Sequence, residues 1–167
     1  MRQVALFTWT CLGLAVLILV VGNLWIGYWQ LALTNLVMLI LWGCGVHWNR
    51  GWAVTASLVG FSLALASGEW MGLGIGWSVV SLVLLLAAWD LQWFAWRIGA
   101  AERIEGEREL VRSHILRLTI IGGAGLLLAG IALFIHLRFS FGIALLLGFS
   151  VILGLRQWIL IARKAGS

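Results

Sequence analysis

The sequence predicts an all-α, polytopic transmembrane helical bundle of about six spans, with both termini cytoplasmic. Three observations lead there. Of 167 residues, 63% are hydrophobic and only 10% charged, with a mean hydropathy of +1.07, whereas a soluble domain carries about a quarter charged residues. Apolar runs recur from end to end, near the length of about 20 residues that crosses the hydrocarbon layer. The basic residues, finally, gather in alternate loops, as the positive-inside rule requires of cytoplasmic segments.

The spans fall at about 4–25, 29–47, 52–68, 71–96, 116–136 and 139–161, in a single membrane domain over 1–167. The first resembles a signal peptide, but its apolar run exceeds the usual h-region of about 7–15 residues and no A-x-A site follows, so it is expected to be a retained helix. The second and third are short, and a five-span arrangement with one of them re-entrant is the alternative. Breaks come at Asn23–Tyr28, HWNRGW (47–52), SGEW (67–70), the charged segment 97–117 and HLRFS (136–140). With six spans and the N-terminus inside, the cytoplasmic side receives Arg2, Arg50, the five arginines from Arg97 to Arg117, Arg156, Arg163 and Lys164, leaving only Arg138 outside. Dropping one span would reverse every later loop. Tryptophans stand near several span ends, among them Trp25, Trp29, Trp48, Trp52, Trp70 and Trp158, where interfacial anchors belong.

Proline is absent and glycine numbers 21. Small residues at four-residue spacing, Ala56 with Gly60, Gly72 with Gly76, Ala144 with Gly148 and Ser150 with Gly154, are expected to let helices approach closely; a glycine-broken helix is the alternative. Cys11 and Cys44 lie far apart in apolar runs and read as small buried residues rather than a disulfide or redox pair.

The segment 97–117 carries a helical pattern, with Ile104, Val111, Ile115 and Leu118 on one face. Opposite charges sit three or four apart at Arg103 with Glu107, Glu105 with Arg108 and Glu109 with Arg112. A cytoplasmic helix starting near Ala100 and running into the fifth span is expected, weakest at Gly106. Its arginines fix topology; Arg103, Arg108 and Arg112 also offer a docking face for lipid headgroups or, given the mixed charge, for a protein partner. Nucleic acid is not an expected partner, because the basic residues are spread over helix ends rather than gathered on a soluble face.

Asp90 is the candidate for chemistry, since charges inside a span default to a functional hypothesis. It lies seven residues before Arg97, about 10 Å below that helix end. Arg156, seven residues before Arg163, stands at a matching depth, so an ion pair with Arg156 or Arg97 is expected; proton or cation passage is the alternative, with only Ser81 as a relay between Val79 and Ala88. Trp89, Trp93 and Trp96 form a stripe at i, i+4 and i+7, an interfacial belt or a contact for lipid or a partner. His47 and His114, both near the cytoplasmic face, are the candidate ligands for a haem or a chlorophyll-type pigment. Cys44 with His47 falls short of the three protein ligands a zinc site needs, and no metal site is expected. No phosphate loop, G-x-S-x-G or H-E-x-x-H occurs.

These features point to a non-catalytic accessory or scaffolding subunit of a larger membrane complex, contacting lipids and other membrane subunits. The alternatives are a small oligomeric transporter or channel with Asp90 and Glu69 on its path, and a haem- or pigment-associated subunit of an electron-transfer or light-harvesting complex. A bacterial cytoplasmic (inner) membrane is the expected location.

Overall fold

The computed structural model describes residues 2–100 and 107–134. Five helices account for them: α1 (Arg2–Trp25), α2 (Trp29–His47), α3 (Gly51–Trp70), α4 (Ile75–Ala100) and α5 (Glu107–Phe134). All five are long and apolar enough to cross a membrane, and no strand occurs among the described residues. The expected sixth span, 139–161, lies outside them.

Inside hydrocarbon every backbone polar group must be satisfied by the chain itself, which leaves the helix as the open-ended solution. Several side-chain hydroxyls, though not those of Ser78 and Ser81, follow the same rule by bonding backward to their own helix. Thr8 Oγ1 donates to the Val4 carbonyl at 2.9 Å, Ser57 to Ala53 at 2.8 Å and Ser62 to Leu58 at 2.9 Å.

The turns explain how a chain without proline stops its helices. α1, α2 and α3 end alike, on a residue with positive φ followed by a 6→1 backbone bond, the Schellman pattern. Gly27 (φ 85°) precedes Tyr28, whose N–H reaches the Asn23 carbonyl at 2.9 Å. Asn49 (φ 52°) precedes Arg50, bonded to Gly45 at 2.7 Å, and Gly72 (φ 100°) precedes Leu73, bonded to Gly68 at 2.8 Å. Glycine, and asparagine at its best, are the residues that adopt this conformation at little cost. The fourth helix therefore begins at Ile75 rather than Met71, and Gly72 ends α3 instead of sharing a helix face with Gly76. Gly60, by contrast, is a close-approach site: the thioether of Met38 on α2 occupies the space a side chain there would need.

Helices α1–α4 form a ring in which each packs on its neighbours in sequence and α4 closes against α1, the most extensive pairing. The buried face of α4 recurs at Ser78, Ser81, Leu85, Ala88 and Gln92, and that of α1 at Val4, Thr8, Leu12, Ala15, Leu19 and Asn23. The alternating three- and four-residue steps on α4 are those of a helix seam. Trp42, Phe61, Val54 and Leu85 fill the centre, fully buried. On the α2–α3 side Gly45 brings the backbones together, since a Cβ there would stand 3.0 Å from Ala53 Cβ and 3.1 Å from the Val54 backbone nitrogen.

α5 runs antiparallel along the outside of α4, with Gly122 facing Val83 and His114 facing Asp90 and Phe94. Its first turns enter a second apolar cluster of Val4, Leu91, Phe94, Ile98 and Val111, with Ile115 and Leu118 packed against it. Val111, Ile115 and Leu118 thus share the apolar face expected of the charged segment, whose Ile104 and Gly106 lie outside the described residues, and α5 runs unbroken from Glu107 to Phe134. From Arg112 to Ile131 no residue of α5 is buried.

Candidate functional site

Asp90 faces α5 because α4 turns about 100° per residue: Val83, Asp90 and Phe94 fall on one side, away from the buried seam. His114 comes to meet it from α5. Its Nε2 lies 2.8 Å from Asp90 Oδ2, within the range of a charge-assisted hydrogen bond. The imidazole also stacks flat on Phe94, with ring centroids 3.8 Å apart and planes within 5°. Phe94 is one helical turn beyond Asp90, so a single face of α4 supplies both an acceptor for the ring nitrogen and an apolar plate for the ring face. The side chains of His114 and Asp90 remain 25% and 34% exposed.

The depth of the pair follows from its neighbours. The rings of Trp93 and Trp96 lie against Gly51, the first residue of α3, so closely that a Cβ there would stand 3.1 Å and 3.4 Å from them. The α2–α3 turn is therefore level with Trp93–Trp96. Asp90, three residues deeper, is about 4.5 Å below that turn; Arg97 is a misleading depth gauge because α4 continues past the turn to Ala100. Arg117, exposed on α5, is three residues beyond His114 in the same direction. The acid and the histidine sit at the polar edge of the bundle, far from its midplane.

The other sequence-derived candidates are distributed as follows. Arg97 is exposed and forms no ion pair with Asp90 among the described residues, whose recorded salt bridge is that with His114. Arg156 and Arg103 lie outside the described residues. Arg108 is in the first turn of α5, and Arg112 is exposed on it. The tryptophan stripe turns partly inward: Trp89 and Trp96 pack against the central cluster, Trp93 is edge-on to both of them, and all three are half-buried. The indole N–H groups of Trp89, Trp93 and Trp42 are buried without a hydrogen-bond partner.

His47 is exposed at the end of α2, edge-on to Trp48. His114 has committed Nε2 to Asp90 and one ring face to Phe94, which leaves Nδ1 as its free nitrogen for any ligand. No group of three or more His, Cys, Asp or Glu side chains able to hold a metal ion occurs among the described residues. Cys11 and Cys44 are free thiols, both half-buried.

What this arrangement does chemically is limited and specific. A carboxylate and an imidazole meet in one hydrogen bond across the α4–α5 contact, beside the apolar cluster that seats the first turns of α5. The face of α4 leading inward from Asp90 offers no hydroxyl: Leu86, Ala87 and Val83 come first, while Ser81 is half a turn around the helix in the buried seam. No family model, curated protein or solved structure matches the chain.

Proposed function

We propose that the protein is a non-catalytic accessory or scaffolding subunit of a larger membrane assembly, and that α5 is the helix it offers to its partner. The observation that carries this reading is the contrast between the four-helix ring, with its own packed centre, and α5, on which Leu116, Ile120, Ile121, Leu127 and Leu128 are all exposed. Large apolar side chains without protein neighbours are ordinary against lipid, but a long unburied helix clasped at one end is also suited to receiving another helix. Arg112 and the charged turns before it supply polar contacts beside that surface. The arginine distribution supports six spans with both termini cytoplasmic, and a bacterial inner membrane is the location we assign to them.

Site-specific photo-crosslinking in native membranes tests the reading. A benzophenone side chain at position 120 or 127 on α5 should give discrete adducts with other membrane proteins, and one at the exposed positions Leu14 of α1 or Leu63 of α3 should give few. Equal labelling at all four positions, or none, removes α5 as the contact.

The second reading, a small oligomeric transporter or channel, is favoured by the partial exposure of both Asp90 and His114. It requires ion or solute flux in liposomes that falls on Asp90→Asn.

A further inference from the structure

We infer that the Trp25 end of the four-helix ring is a gate: the α3–α4 turn swings outward, withdraws the Leu73 side chain and admits water to the polar seam beneath it. What α5 meets has no part in this. The side-chain oxygens of Asn23, Asn35, Ser78 and Ser81 are sealed from water and have no hydrogen-bond partner among the described residues. Asn35 places its amide nitrogen on the Leu31 carbonyl at 2.9 Å, so its oxygen alone is left over. The closed ring carries the desolvation cost of all four oxygens, and water at that end removes it.

The four are gathered in one half of the ring. α1 and α3 end there, and α2 and α4 begin there. Asn23 is two residues from the end of α1 and Ser78 three from the start of α4, while Asn35 and Ser81 are each six residues into their helices, about 9 Å down. In the other half the buried hydroxyls of Thr8 and Ser57 are bonded to carbonyls of their own helices. The unpaired groups of that half are indole N–H groups, on rings held by packing.

What closes the Trp25 end is slight. Leu73 follows Gly72, the positive-φ residue of the turn, and is 4% exposed. Its two methyls wedge between glycines of two helices: a Cβ at Gly22 of α1 would stand 2.8 Å from Leu73 Cδ1, and one at Gly68 of α3 would stand 3.2 Å from Cδ2. The Asn23 oxygen lies 3.4 Å from the same point on Gly68, so the leucine sits over the outermost unpaired atom. α3 and α4 also form the least extensive of the four pairings round the ring. Cavities of about 350 Å³ and 300 Å³ adjoin the turn, one toward α1 and the other between α3 and α4. Local opening is drawn from such thinly packed parts of a structure.

The test uses the full chain in nanodiscs, with Cys11 and Cys44 replaced by alanine, and the charged thiol reagent methanethiosulfonate ethylsulfonate, read by intact mass. Ser81 and Ala88 are both 0% exposed on the same seam of α4, so a static ring protects both alike and global unfolding exposes both alike. A gate makes Ser81→Cys react at least tenfold faster than Ala88→Cys, and faster by the same margin than a second control, Ala15→Cys on α1, also 0% exposed. Leu73→Ala should speed Ser81→Cys several-fold further and leave the controls unchanged. Ser78→Ala, which deletes one unpaired oxygen, should slow Ser81→Cys several-fold by favouring the closed ring. Equal rates at position 81 and the controls overturn the inference. So does a rate at position 81 that Ser78→Ala leaves unchanged, or a Leu73→Ala effect of equal size at all three positions.

Discussion

The Asp90–His114 contact can be weighed by a double-mutant cycle. His114→Ala removes two things at once: the hydrogen bond at 2.8 Å to the carboxylate and the flat stack on Phe94. A hydrogen bond to a charged group contributes about 1.5–3 kcal/mol when well shielded. Here a quarter to a third of each side chain is open, and polar pairs measured within membrane proteins average about 0.6 kcal/mol, with a ceiling near 1.7. The stack adds about 0.5–1.5 kcal/mol. His114→Ala is therefore expected to cost about 1–3 kcal/mol, and the coupling between Asp90→Ala and His114→Ala to be about 0.6–1.7 kcal/mol. Phe94→Leu, which keeps the hydrogen bond and removes the plate, should lose the stacking part together with a packing cost of about 1 kcal/mol, because Phe94 is buried in the second apolar cluster, while leaving the Asp90–His114 coupling in place. The assay is reversible unfolding of the purified chain in mixed dodecylmaltoside–SDS micelles, followed by tryptophan fluorescence. Strict additivity of Asp90→Ala and His114→Ala would refute the reasoning, because it would mean that the two side chains do not depend on each other to hold α5.

Three further outcomes are expected. Gly45→Ala should destabilise by about 1–3 kcal/mol, because its Cβ meets the Val54 backbone rather than a movable side chain, whereas Gly13→Ala, with nothing within 4 Å, should be neutral or gain up to about 1 kcal/mol from helix propensity; the same unfolding assay reads both. Gly72→Ala, at φ 100°, should cost about 1 kcal/mol or more, and Asn49→Gly, at φ 52°, should be tolerated; a drop in stability for the second larger than for the first would contradict the Schellman assignment. With Cys11 and Cys44 replaced by alanine, Asn49→Cys and Glu69→Cys should react with an impermeant maleimide from opposite sides of the membrane; reaction of both from one side would refute the crossing of α3.

How much of this was legible in the sequence depends on the kind of signal each feature leaves. Helices of transmembrane length are written in hydropathy, because burial in lipid demands apolar side chains over a fixed length, and α1, α2 and α3 match the apolar runs to within two residues. Turns are written less plainly. Gly27, Asn49 and Gly72 are the positive-φ positions that end three helices, yet Gly72 also satisfies a small-residue spacing with Gly76, and spacing alone does not tell a helix end from a helix face. Pairing is written least. Charge and depth point Asp90 toward an arginine, and Arg97 is the depth mark that the local sequence offers. The structure gauges it from Gly51 against Trp93 instead, a contact between residues far apart in sequence that no local pattern announces. Likewise, the tryptophan stripe has the spacing of an exposed belt, and only packing shows that Trp89 and Trp96 face the central cluster.

The two sides of α4 bear on whether Asp90 conducts. One side is the seam, where Ser78, Ser81 and Gln92 are buried among apolar neighbours; the other carries Val83, Asp90 and Phe94 toward α5. Nine residues separate Ser81 from Asp90, two and a half turns, so their side chains point in opposite directions. A proton leaving Asp90 for the far side of the bundle would meet Ala87, Leu86 and Val83 before any hydroxyl, and hydrocarbon without polar groups is a barrier rather than a path. Bringing Ser81 into line would require α4 to rotate by half a turn, which would pull Phe94 from under His114 and open the seam with α1. The acid and its histidine are thus placed to hold a helix, and beyond them α5 carries no buried residue as far as Ile131.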